Sequence, residues 1–224
     1  MTALPRLFVL LRRHPSAALL AAQLLGVLLY PWLEQSPGAQ VLMTVFGLLV
    51  LGLALRMVRR SPAATQWALA LAACVAALSV WQALAPHPYL PLAVALLEAA
   101  FYFYAAGALI RYMLQDEVAT ADELFAAGAT FTVLAWAFAH LYMACQLLAP
   151  GSFAGALLPS EPRSWFELLF LSFTALSGVG LGDIVPVRPM ARALVMLEEF
   201  TGVLYIAGVV SRLVGLTLAR RAGR

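Results

Sequence analysis

The run Gly178-Val179-Gly180-Leu181-Gly182-Asp183 holds the residue types and spacing in this 224-residue chain that could do chemistry. Glycines at alternate positions can take φ > 0 without a Cβ penalty. A backbone that alternates hand in this way can aim successive carbonyl oxygens at one axis. Four chains around that axis would stack rings of oxygen able to replace the hydration shell of a cation. The apolar segment Ser164–Leu176 leads into the run, and a turn through Pro186 leads out of it into a long apolar stretch. Non-helical backbone at membrane depth is tolerable only where it is buried in protein or lines a wet path. The pattern points to a pore.

The elements that must hold this run are apolar helices. Hydrophobic residues make up 63% of the chain and charged residues 11%, and the mean hydropathy is +0.90. A soluble domain is about half apolar, so the fold class expected is an all-α integral membrane protein. Six stretches approach or exceed the roughly 20 residues that a crossing helix needs: about Ala17–Leu33, Val41–Val58, Ala64–Leu84, Pro91–Leu114, Leu124–Leu148 and Pro189–Leu218. Ser164–Leu176 is too short to span. The N-terminal arginines before an apolar run resemble a secretory signal, but no small-x-small cleavage site follows, and the first span is expected to be retained. Cys74 and Cys145 fall inside apolar runs and read as small buried hydrophobes.

All 14 basic residues are arginines. Arg6, Arg12, Arg13, Arg56, Arg59, Arg60, Arg111, Arg220, Arg221 and Arg224 fall on one side if the six spans alternate and Ser164–Leu176 does not cross. The positive-inside rule then makes both termini cytoplasmic. A crossing by Ser164–Leu176 would put the Arg-rich C-terminus outside, so that segment reads as re-entrant. No basic stripe interleaved with aromatics is present, which argues against a nucleic-acid partner despite the net charge of +3.

Span, short helix, glycine-rich run and span together resemble the two-helix pore module of tetrameric potassium channels. That family's filter reads Thr-Val-Gly-Tyr-Gly-Asp, and Gly178 to Asp183 aligns with it position by position. Pro186 matches the family's turn, Arg192 a basic residue common at the start of the inner helix, and Gly202 a frequent hinge glycine. Leu124 to Leu218 is also similar to small bacterial six-span ion-channel proteins that end just after the inner helix. The resemblance covers a little under half the chain. It implies a homotetramer in a plasma membrane, with bacterial inner membrane the expected location, embedded in lipid and passing monovalent cations. Ser177 to Asp183 would form the selectivity filter, K+ being held by backbone carbonyls of Gly178, Val179, Gly180 and Leu181, and no other cofactor is implied. Asp183 would charge the outer mouth, and Val203 and Ile206 would line the inner cavity. The chain then divides into a four-helix bundle (1–115), a cytoplasmic linker (116–123) and a pore module (124–224).

Two departures from the family pattern bear on selectivity. Gly178 stands where the family has Thr, whose hydroxyl completes the innermost ion site. Leu181 replaces an aromatic residue whose ring packs against the pore helix, where Phe170 lies near the expected cuff. Both changes predict weakened K+ over Na+ discrimination. Thr174 stands where some members have a Glu that braces the filter.

Glu198 and Glu199 are ionisable groups inside a span, which marks them for function, and filter support is the expected role. Glu98 and His140 are candidates to pair across spans. Asp116, Glu117, Asp122 and Glu123 read as a solvated linker, and Trp67, Trp81 and Trp165 as interfacial anchors. The fourth span carries only Arg111, at its end, so a steep voltage sensor is not expected. No regulatory domain is expected in the few residues after the sixth span.

Three rival readings remain. Gly180-Leu181-Gly182-Asp183 also fits an intramembrane aspartyl protease, which needs two carboxylates sharing a proton, but Asp116 and Asp122 fall on the opposite side from Asp183. A secondary transporter would need a second broken-helix unit, and none is visible. A non-conducting modulatory subunit is compatible with the altered filter. The expectation is a channel and not an enzyme.

Overall fold

A computed structural model describes residues 14–34, 39–58, 62–115 and 121–222. Arg6, Arg12, Arg13, Arg59, Arg60, Arg224, Asp116 and Glu117 lie outside the described residues, as do the side chains of Arg220 and Arg221. The chain is helical almost throughout: α1 (Pro15–Glu34), α2 (Ala39–Val58), α3 (Pro62–Leu84), α4 (Leu90–Gln115), α5 (Ala121–Leu148), α6 (Trp165–Leu176), α7 (Pro189–Tyr205) and α8 (Ser211–Ala222). A π-helical turn, Ile206–Val210, joins α7 to α8 without a break. Among the described residues five stretches are long and apolar enough to cross a membrane; α2 contributes a shorter described apolar stretch, Val45–Arg56.

Helix α5 is the hub, packing on α1, α4, α6 and α7. Its sequence explains this. Ala126, Ala129, Ala135, Ala137 and Ala139 are buried with almost no exposed surface. Small side chains let helix backbones approach closely where lipid supplies no hydrophobic drive for association. Polar cross-links then fix register. Thr132 Oγ1 donates to Gln23 Oε1 on α1 at 2.5 Å, and Tyr205 OH donates to the Ala127 carbonyl at 2.6 Å.

Several expectations need correction. Asp122 and Glu123 belong to the first turn of α5 and are buried rather than solvated. Asp122 accepts from Ser16 N at 3.2 Å and from Ser16 Oγ at 2.9 Å, a favourable place for a carboxylate because two helix N-termini converge on it. Cys74 is exposed, and only Cys145 is buried; an outward position is still apolar when lipid surrounds the bundle. Trp67 and Trp81 are exposed. Trp165, however, packs edge-on against Trp136 with ring centroids 5.0 Å apart, so it is an internal contact and not an anchor.

Between α5 and α6 the chain forms β1 (Phe153–Gly155), which pairs antiparallel with β2 (Ile184–Pro186) in the register Phe153↔Pro186 and Gly155↔Ile184. Val187 N also donates to the Ser152 carbonyl at 2.8 Å. This two-stranded clip ties the far side of the glycine-rich run to the loop after α5.

Candidate functional site

Helix α6 delivers the chain to Gly178. Its 12 residues rise about 18 Å, less than the roughly 30 Å hydrocarbon thickness. Ser164 caps its N-terminus in a reciprocal box: Glu167 N donates to Ser164 Oγ at 3.3 Å, and Ser164 N donates to Glu167 Oε2 at 2.7 Å. Arg163, itself buried, reaches Glu167 Oε1 at 2.9 Å and is held through its backbone N–H by Gln146 Oε1 at 2.7 Å. The start of α6 is therefore bolted to the end of α5.

At the other end, Gly178 and Gly180 have φ of +71° and +63°. Gly182 does not share that conformation, so two of the three glycines use their freedom. Gly178 N donates to the Ala175 carbonyl at 3.0 Å, and Gly180 N folds back onto the Thr174 carbonyl at 3.1 Å. Ser177 Oγ also donates to the Thr174 carbonyl, at 3.2 Å. Thr174 thus holds the run through its backbone, while its own Oγ1 bonds within α6 to the Leu171 carbonyl at 2.9 Å. From Ser177 to Asp183 every residue is exposed, Val179 at 61% and Leu181 at 66%.

Gly178→Ala and Gly180→Ala are each expected to cost about 1–2 kcal/mol, because an L side chain at positive φ meets its own carbonyl. Thermal unfolding of the purified protein checks this. Gly52→Ala in α2, where an added Cβ meets nothing within 4 Å, should leave the midpoint unchanged or raise it.

Glu198 lies behind the run. It is fully buried and bonds through one carboxyl oxygen to the Ser172 hydroxyl of α6 and through the other to the Tyr142 hydroxyl of α5. Ser172 Oγ is also 2.8 Å from the Ala135 carbonyl. One side chain therefore joins three helices. Glu199, the next residue, is exposed. Gly202 is buried where α7 crosses the end of α6, and a Cβ added there would run into the Leu176 carbonyl. Helix α7 continues past Gly202 in α geometry, and its irregularity comes later, at Ile206–Val210. Val203 and Ile206 are exposed at 62% and 46%, and Phe170 at 43%. Arg192 Nε reaches the Pro186 carbonyl at 3.2 Å.

The expected Glu98–His140 pair is present, with His140 Nδ1 2.9 Å from Glu98 Oε2. The two described aspartates do not meet. Asp122 begins the 28-residue α5, while Asp183 adjoins the clip beyond its end, so the length of α5, about 40 Å, separates them. Two carboxylates so far apart cannot share a proton.

A bundle of apolar helices, with a short buried helix and an exposed left-handed glycine run between its last two long members, defines a multi-pass membrane protein. Residues 93–218, more than half of the chain, match the ion channel family, and the protein belongs to that family. No curated protein and no solved structure matches the chain.

Sequence reading missed the β1–β2 clip, the Ser172–Tyr142 partners of Glu198 and the close approach at Gly202. The alternation Phe153-Ala154-Gly155 and the Ile184-Val185-Pro186 triplet were the available signal for the clip, but two three-residue strands carry little periodicity.

Proposed function

We propose that the chain forms a homotetrameric cation channel of potassium-channel type, conducting passively across the plasma membrane, with six spans, α6 re-entrant and both termini cytoplasmic. The observation that carries this reading is the run Ser177–Asp183. It is irregular backbone, anchored at one end on the buried α6 and at the other on the clip, yet exposed along its whole length in the single chain. Such backbone is not tolerated against lipid, so further copies of the chain must surround it and leave its carbonyls facing a wet axis. Glu198 and the Thr174 carbonyl would support the filter from behind, and Glu199 would add negative charge near it. K+ would be held by the carbonyls of Gly178, Val179, Gly180 and Leu181, with Asp183 at the mouth.

Val203 and Ile206 are suited to line the inner cavity. Gly202, packed on the Leu176 carbonyl, is a poor place to bend. The π-helical turn that follows offers a better one, since such turns interrupt the α ladder and recur at functional sites.

The test is reconstitution of the purified protein alone into liposomes, with K+ and Na+ flux measured separately. Flux of both ions with a K+ preference well below that of an intact family filter is the expected result. Absence of flux from well-folded protein would favour the modulatory-subunit reading. Leu181→Tyr is expected to raise K+ preference over Na+, because a ring at this position can pack on α6 and fix the filter width. Gly178→Thr should not do so, since a β-branched residue at φ +71° is strongly disfavoured.

A further inference from the structure

Away from the filter, a cavity of about 460 Å³ opens among α1, α2, α3, α4, α5 and the start of α6. This volume is in the range of small-molecule sites. Three helices each turn a polar pair at helical spacing onto its wall: Ser79 and Gln82 from α3, Glu98 and Tyr102 from α4, Trp136 and His140 from α5. The first residue of α6, Trp165, also lines it. Ser79 Oγ, Gln82 Oε1, Trp136 Nε1 and Trp165 Nε1 are buried with no hydrogen-bond partner among the described residues. An unpartnered buried polar atom is costly, and four of the residues that line this cavity carry one. Two are acceptors or donor-acceptors on one wall, and two are indole donors on another.

Charge narrows the occupant. Glu98 keeps 19% side-chain exposure, lines the cavity, and among the described residues has His140 as its ionic neighbour. No arginine is among the described residues that line the wall. Aromatic rings do, including Tyr30, Tyr102, Trp136 and Trp165, and ring faces attract cations. Anionic ligands would meet the Glu98 carboxylate, whose neighbour His140 is already engaged with it. A phospholipid amine would leave its phosphate unpaired.

We infer that this cavity binds a free amphipathic amino alcohol. Its ammonium would sit on the Glu98 carboxylate and the Ser79 and Gln82 oxygens, its hydroxyl would accept from the Trp136 and Trp165 indoles, and its apolar body would lie among the aromatic rings. An occupant would touch Trp165, whose ring centroid is 5.0 Å from that of Trp136 and 5.5 Å from that of His140, and so would press on the start of α6. Any effect on conduction rests on the function proposed above. Binding does not, and it is read without flux.

The test is calorimetric titration of the full-length protein in detergent with 2-amino-1-phenylethanol, 1-phenylethanol and mandelate, which share one frame and differ in charge. The amine is expected to bind at least tenfold tighter than the neutral alcohol, and mandelate not at all. Glu98→Gln should weaken the amine at least tenfold and leave 1-phenylethanol unchanged. Val94→Phe, which puts a ring at the cavity wall, should weaken binding of both at least tenfold and serves if Glu98→Gln fails to fold. Mandelate binding as tightly as the amine, or amine affinity unchanged in either folded variant, would overturn the assignment. Competition by phosphatidylethanolamine would overturn the choice of a free amine.

Discussion

Replacing Glu198 by alanine is expected to destabilise the protein by roughly 2–5 kcal/mol per chain, since two hydrogen bonds of about 0.5–1.5 kcal/mol each are lost and a buried hydroxyl left unpaired costs about 1–3 kcal/mol more. The change strands the Tyr142 hydroxyl at a fully buried position and removes one of the two partners of Ser172. Glu198→Gln keeps the shape and one acceptor oxygen, so about half of the loss is expected. Tyr142→Phe removes one bond and leaves the buried Glu198 Oε2 without that partner, so it should cost about 1–3 kcal/mol. Thermal or denaturant unfolding in detergent gives the ranking. If all three variants unfold with the wild type, the Ser172–Glu198–Tyr142 cluster does not hold the helices together. On the function proposed above, conduction should follow the same order, because Ser172 lies two residues before the Thr174 carbonyl that receives Gly180 N.

Gly202→Ala is expected to cost about 1–3 kcal/mol, the usual penalty of overpacking a tight contact. The atom in the way is the Leu176 carbonyl oxygen, which is backbone and cannot rotate aside. The whole end of α6 would have to move, and with it the anchor of Gly178. A glycine serving only as a hinge predicts the opposite: alanine in mid-helix would gain about 1 kcal/mol through helix propensity. The sign of the stability change separates the two roles. Gly208, inside the π-helical turn with nothing within 4 Å of an added Cβ, supplies the contrast, and Gly208→Ala should not destabilise.

The membrane character, the helices and their ends within a few residues, and the glycine run itself follow from local sequence. Long apolar stretches separated by Pro, Gly and charge leave no other low-energy choice in lipid, since every backbone group must find its partner within the helix. The alternation of glycines also foretold positive φ at Gly178 and Gly180, because only residues without Cβ take that conformation cheaply. What sequence could not supply was distance across the fold. Nothing in the pattern says that Glu198 rather than Glu199 turns inward, that Thr174 acts through its carbonyl, that Gly202 marks a crossing, or that Asp122 is a buried clamp between α1 and α5. Neither does it reveal that Ser79, Gln82, Glu98, Trp136, His140 and Trp165 share one cavity. Each depends on which helix faces which, and in a bundle apolar on every side the hydrophobic pattern carries no such information. Small-residue packing on α5 and a handful of buried polar contacts decide it.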